Sequence, residues 1–164
     1  MYYLYNVLIY LAAPVAIVVQ LWRGLRDPSY RGGLRQRFGF GPAVAGPTIW
    51  VHAVSLGETR AAAALIDALR EALPGLPLLL TCGTATGREA GAALLREGDR
   101  QVWLPYDTAG ATRRFVETFR PAVGVLMETE IWFNFIRETS KNNTKIAIVN
   151  GRLSERSFKR FSYL

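Results

Sequence analysis

The chain holds a single cysteine, Cys82, so no disulfide can close within it, and a lone thiol suits a reducing compartment. It holds a single histidine as well, His52, inside an apolar run with no second His or Cys near it, which leaves little to ligate a metal. No GxGxxG follows a strand, and GxxxxGK followed by Ser or Thr occurs nowhere. Dinucleotide and P-loop chemistry therefore lose their main support. Internal repeats and low-complexity tracts are missing too. Most telling is the lack of any charged residue from Tyr3 to Trp22.

That uncharged run is about the 20 residues a helix needs to cross a bilayer. Tyr2, Tyr3 and Tyr5 at one end and Trp22 at the other match interfacial aromatics, and Pro14 is tolerated better in membrane helices than in soluble ones. A secretory signal peptide is the rival reading, but basic residues before the run are lacking. A buried core helix is the third reading. Five of the twenty basic residues, Arg23, Arg26, Arg31, Arg35 and Arg37, follow directly, and the net charge of +7 is concentrated there. The positive-inside rule places this end in the cytoplasm, where anionic head groups add attraction. The expectation is a single-pass inner-membrane protein with its globular part on the cytoplasmic face, and inner-membrane lipids rather than nucleic acid as partners.

With 164 residues, half of them hydrophobic, the chain suffices for one domain plus an appendage. Residues 1–22 read as the anchor, 23–47 as a basic connector broken at Asp27-Pro28, Gly32-Gly33 and Gly39-Phe40-Gly41-Pro42, and 48–164 as the domain. From Ile49 strand and helix patterns alternate. Strands fall at Ile49–Val54, Pro77–Thr81, Val102–Leu104, Ala122–Met127 and Lys145–Asn150. Helices fall at Glu58–Leu73, Arg88–Glu97, Ala109–Phe119 and Glu130–Thr139, with another starting at Ser154. This alternation predicts an α/β fold with a Rossmann-like, doubly wound parallel sheet.

Ligands of such sheets gather at the carboxyl edge. The stretch IWVHAVSLGETR, Ile49–Arg60, puts Ser55, the amide of Gly57, Glu58 and Arg60 there. Thr84-Ala85-Thr86-Gly87 adds hydroxyls and amides at the next strand-to-helix turn, suited to an anion or sugar, although capping needs the same residues. Glu128-Thr129-Glu130 could offer two carboxylates to a metal, or Glu130 could serve the dipole of the next helix. Asn150-Gly151-Arg152-Leu153-Ser154-Glu155-Arg156 brings polar and basic groups after the fifth strand.

Five pieces occur in one order: His52-Ala53-Val54-Ser55-Leu56-Gly57-Glu58, Thr84-Ala85-Thr86-Gly87, Leu104-Pro105-Tyr106-Asp107, Met127-Glu128-Thr129-Glu130-Ile131-Trp132 and Asn150 to Ser157. Together they closely resemble the amino-terminal half of the 3-deoxy-D-manno-octulosonic acid (Kdo) transferases of lipopolysaccharide synthesis. The resemblance implies two Rossmann-like domains facing across a cleft, the second of them lacking here. It implies CMP-Kdo as donor, held mostly by that second domain, and a lipid A precursor as acceptor. It implies metal-independent, inverting transfer with no cofactor, and Glu58 at the position of the catalytic base. Acceptor or substrate contacts are expected at Ser55, Gly57, Arg60, Thr84, Thr86, Gly87, Asp107, Glu128, Glu130, Asn134, Arg152, Ser154, Glu155 and Arg156. One departure is Phe133 before Asn134, where the family usually has Pro; a Pro there would fix φ in the first helical turn, so Phe133 is expected to loosen it. A membrane-tethered module that binds lipid A-type acceptors without catalysis is the alternative reading.

Overall fold

A computed structural model describes residues 2–128 and 132–151. Five parallel strands, β1 (Thr48–Ala53), β2 (Leu78–Cys82), β3 (Arg100–Trp103), β4 (Pro121–Met127) and β5 (Lys145–Val149), form one sheet in the order β3-β2-β1-β4-β5. This is the expected doubly wound α/β class. All six residues of β1 are buried, as a central parallel strand requires when both faces are covered. Registers such as Val51 between Leu80 and Val125 fix the neighbours.

The period-2 alternation of strand side chains separates two cores. Ile49, Val51 and Ala53 point to one face, against Ala62 and Ile66 of α3 (Leu56–Ala72). Trp50 points to the other, against Phe115 and Phe119 of α5 (Ala109–Phe119) and Phe135 of α6 (Phe133–Lys141). Helix α4 (Ala85–Ala92) packs beside α3, and α5 beside α6. Because β1 leads to β2 on one side and β4 lies on its other side, the strand order reverses between β1 and β4. That switch point opens a crevice at the carboxyl edge.

Helix α1 (Tyr2–Arg26) is long and apolar enough to cross a membrane. It lies along the carboxyl edge and is bonded to the domain at both ends. Tyr5 donates to Asp107 Oδ2 at 2.5 Å, and Gln20 Nε2 donates to the carbonyl of Tyr30 at 3.0 Å. Between them Tyr106 donates to the carbonyl of Ala16 at 3.3 Å. The outward side of α1 leaves Leu4, Leu8, Leu11, Val15 and Val18 exposed.

Residues 27–47 fold onto the same edge. Asp27 caps a short 3-10 helix, Pro28–Gly33, and α2 (Leu34–Arg37) follows. Tyr30 stacks on Trp103 with ring centroids 5.2 Å apart and accepts the Ala85 amide at 3.1 Å. A Cβ on Gly33 would come within 2.4 Å of the Trp103 ring, so only glycine lets this turn close.

His52 is fully buried in β1, its Nδ1 2.9 Å from Thr81 Oγ1 and 3.2 Å from the Thr81 carbonyl. Burial, reinforced by the charge of Arg37 and opposed by the Thr81 carbonyl, lowers its pKa to about 4. In the unfolded chain it returns to about 6.5. The unfolded state therefore takes up the proton first as pH falls, and stability is lost between about pH 6.5 and 4, on the order of 3 kcal/mol in all. Urea unfolding at pH 7.5, 5.5 and 4.5 should show this loss, and His52→Gln should flatten that part of the profile. An equal slope in the variant would assign it to other groups.

Candidate functional site

Two strand-to-helix turns meet at the carboxyl edge. In the first, Ser55 is the N-cap of α3 and its Oγ accepts the Glu58 amide at 3.3 Å. Glu58 reaches back: Oε2 accepts the Val54 amide at 2.7 Å and Oε1 accepts the Ser55 hydroxyl at 2.8 Å. This is a capping box moved one residue toward the strand. It fixes both oxygens of a half-buried carboxylate at the mouth of the crevice.

In the second turn Thr84 caps α4, accepting the Gly87 amide at 3.1 Å, and also donates to the Val54 carbonyl at 3.1 Å. The amides of Gly83 and Thr84 donate to that same carbonyl. Gly87 allows this contact, since a Cβ there would lie 3.1 Å from the Ser55 carbonyl carbon. Gly57 is different: its Cβ would meet open space, with only Ser55 Oγ at 3.9 Å. Ser55, Glu58, Thr84 and Gly87 are thus brought together, with two helix N-termini side by side. Their positive dipole ends favour an anion or an oxygen-rich ligand. Arg60 and Thr86 lie exposed on α3 and α4 next to this point.

The other wall of the crevice is built on Asp107, which is 3 % exposed. Its Oδ2 and Oδ1 accept the amides of Asn134 and Phe135 at 3.1 and 2.9 Å, in addition to the Tyr5 hydroxyl. Helix α6 has no side-chain cap of its own; Asp107 supplies it from across the sheet. Burial raises the carboxyl above its ordinary range, against the pull of these three hydrogen bonds. Asn134, also buried, donates its Nδ2 to the Asp107 carbonyl at 2.5 Å and to Asn6 Oδ1 at 3.0 Å. Both side chains thereby join α1, α5 and α6. Phe133 occupies the first position of α6 with its ring edge-on to Tyr5 at 4.9 Å, and the Asp107 cap holds the turn that Pro would have fixed.

Glu128 follows β4 at the switch point with φ 62°, a left-handed conformation uncommon for a side-chain-bearing residue. Glu130, Arg152, Ser154, Glu155 and Arg156 lie outside the described residues. Among the described residues no three His, Cys, Asp or Glu side chains gather as a metal would need.

One residue that sequence reasoning placed with the lipid-facing arginines belongs to the fold instead. Arg37 donates to the carbonyls of Leu104 at 2.8 Å and Gly83 at 3.2 Å, and lies over the Trp103 ring at 4.7 Å. It ties the ends of β2 and β3 together. Nothing local separates it from Arg35; the partners lie 46 and 67 residues away.

Fold and site define a Rossmann-like α/β domain whose ligand edge is roofed by an apolar helix. Residues 32–164 match the model of the family described as 3-Deoxy-D-manno-octulosonic-acid transferase (kdotransferase), and the chain belongs to that family. It is 47 % identical over 128 residues to the 3-deoxy-D-manno-octulosonic acid transferase of Bordetella pertussis, covering 75 % of this chain and 29 % of the relative. The enzyme of that name from Haemophilus influenzae is 33 % identical over 162 residues, 97 % of this chain and 38 % of the relative. A probable mitochondrial counterpart from Arabidopsis thaliana is 36 % identical over 163 residues, 98 % of this chain and 36 % of the relative. The chain therefore spans about a third of the length of these relatives.

Proposed function

We propose that this chain forms the acceptor side of an inverting glycosyltransferase that moves Kdo from CMP-Kdo to a lipid A precursor, with no cofactor. The observation that supports this most is Glu58, held by Val54 and Ser55 at the mouth of a crevice flanked by two helix N-termini. The acceptor hydroxyl attacks the anomeric carbon of Kdo from the side opposite CMP. The bond to the phosphate breaks, CMP leaves with its electron pair, and Glu58 takes the proton. The bonds from Val54 and Ser55 keep the carboxylate aimed while each oxygen retains a free lone pair. Arg60, Ser55, Gly57, Thr84, Thr86 and Gly87 surround the reacting hydroxyl. Asp107 and Asn134 hold the opposite wall. Glu128 is a further substrate contact in this reading, as are Glu130, Arg152, Ser154, Glu155 and Arg156, which lie outside the described residues.

The reaction belongs on the cytoplasmic face of the inner membrane, with α1 as the attachment. Crossing the bilayer as a single-pass anchor requires the bonds of Tyr5, Asn6 and Gln20 to the domain to open. Attachment through the exposed apolar side of α1, lying in the membrane surface, leaves them intact. That docked arrangement favours the second form.

Titrating the chain in amphipol with a lipid A precursor tests the acceptor reading. Saturable binding that Arg60→Glu weakens is the expected result. A folded preparation that shows none would refute it.

A further inference from the structure

A cavity of about 550 Å³ lies between the inward side of α1 and the carboxyl edge of the sheet, a size typical of ligand pockets. Its roof is the row of small residues Ala12, Ala13 and Ala16 on α1, and its floor includes Val54, Leu104 and Pro105. Three residues on its wall carry buried nitrogens with no hydrogen-bond partner: Arg37 Nε, His52 Nε2 and Trp132 Nε1. Buried polar atoms are rarely left unpaired, and His52 is 0 % exposed. Arg37 and Trp132 can only donate. His52 Nδ1 lies 2.9 Å from the Thr81 hydroxyl and 3.2 Å from the Thr81 carbonyl; in the tautomer that donates to the carbonyl, Nε2 is an acceptor. An apolar wall carrying both donors and an acceptor suits an aliphatic chain bearing a group that does both, a hydroxyl. The guanidinium of Arg23, also on the wall, suits an anionic end.

We propose that this cavity binds a hydroxylated acyl chain with an acidic terminus, drawn from the membrane that covers the outer side of α1. The proposal deepens the acceptor reading above, on which it rests for the identity of the natural lipid but not for the existence of the site.

The test is calorimetric titration of the whole chain in amphipol with 3-hydroxydodecanoate and with dodecanoate. Saturable binding is expected, about tenfold tighter for the hydroxy acid, and falling about fourfold for each methylene removed. Ala13→Leu combined with Ala16→Leu fills the cavity with good helix formers and should weaken both ligands at least tenfold. Leu11→Ala, on the exposed side of α1, should change neither. His52→Phe should bring the two ligands to equal affinity; if it fails to fold, Trp132→Phe, which removes a donor, makes the same comparison. Unchanged binding in the filled variant, or equal affinity in the unaltered chain, would overturn the proposal in favour of surface partition. An absence of saturable binding would leave water as the partner of the three nitrogens and overturn it as well. Saturable binding that a lipid A precursor fails to displace would uphold the cavity and count against the acceptor reading alone.

Discussion

Transfer of Kdo by this 164-residue chain alone is expected to be undetectable, and joining it to the remainder of a relative such as the Bordetella pertussis enzyme is expected to restore it. The chain matches only 29 % of that relative. In an inverting displacement the donor must be held in line behind the acceptor hydroxyl. Holding reactants in such geometry accounts for about 7–11 kcal/mol of barrier, or five to eight orders of magnitude in rate. The described crevice, at the ends of β1, β2 and β4, would supply the acceptor side of that arrangement. A radiolabelled assay with CMP-Kdo and a lipid A precursor measures both forms. Robust transfer by the chain alone would show that the acceptor-side reading is too small.

In the joined enzyme, Glu58→Gln is expected to lower turnover by roughly 10²–10⁴. The amide keeps the size of the side chain and an oxygen for the Val54 N–H, so the capping box should survive. What it loses is the proton acceptor. Glu58→Ala removes the cap as well and should cost about 1 kcal/mol of stability in addition. Comparing the two separates chemistry from folding: Gln should leave the unfolding midpoint nearly unchanged. Near-normal turnover in Glu58→Gln with ordinary acceptor binding would return Glu58 to a purely capping role.

What could be read in advance follows the range of the contacts. The five strands and the helices between them depend on local apolar patterning, and their order stood in the sequence with ends shifted by a few residues. Helix α4 begins at Ala85, three residues ahead of the expectation, because Thr84 caps it and Gly87 lies inside it. The meeting of Ser55, Glu58, Thr84 and Gly87 was legible for the same reason, since each sits at a strand-to-helix turn of adjacent parallel strands. Glu58 shows where the two readings of one signal converge: the spacing Ser55 to Glu58 that marks a capping box also presents a carboxylate at the carboxyl edge.

The rest depends on contacts that no local pattern encodes. Asp107 reads as a polar residue after β3, yet its carboxylate caps α6 at Asn134 and Phe135. Tyr5 reaches it across 102 residues, and Asn6 reaches Asn134 across 128. A run of apolar residues is equally consistent with a helix that leaves the domain and one that lies on it, and nothing local in it announces these partners. Phe133 in place of Pro was expected to loosen the start of α6. The Asp107 cap and the Tyr5 ring lie against that turn, contacts that its own residues do not announce. Arg37 belongs to the same class, because its packing on Trp103 is invisible in a stretch where arginines recur.

The claim on which the account turns is that the accepting hydroxyl sits at the carboxyl edge beside Glu58. A lipid A precursor carrying a photoreactive diazirine at that hydroxyl reports it directly. After illumination and peptide mapping, the account predicts crosslinks in Val54–Arg60 and Thr84–Arg88. Crosslinks confined to the opposite edge, at Pro74–Leu76 and Glu97–Asp99, would contradict it.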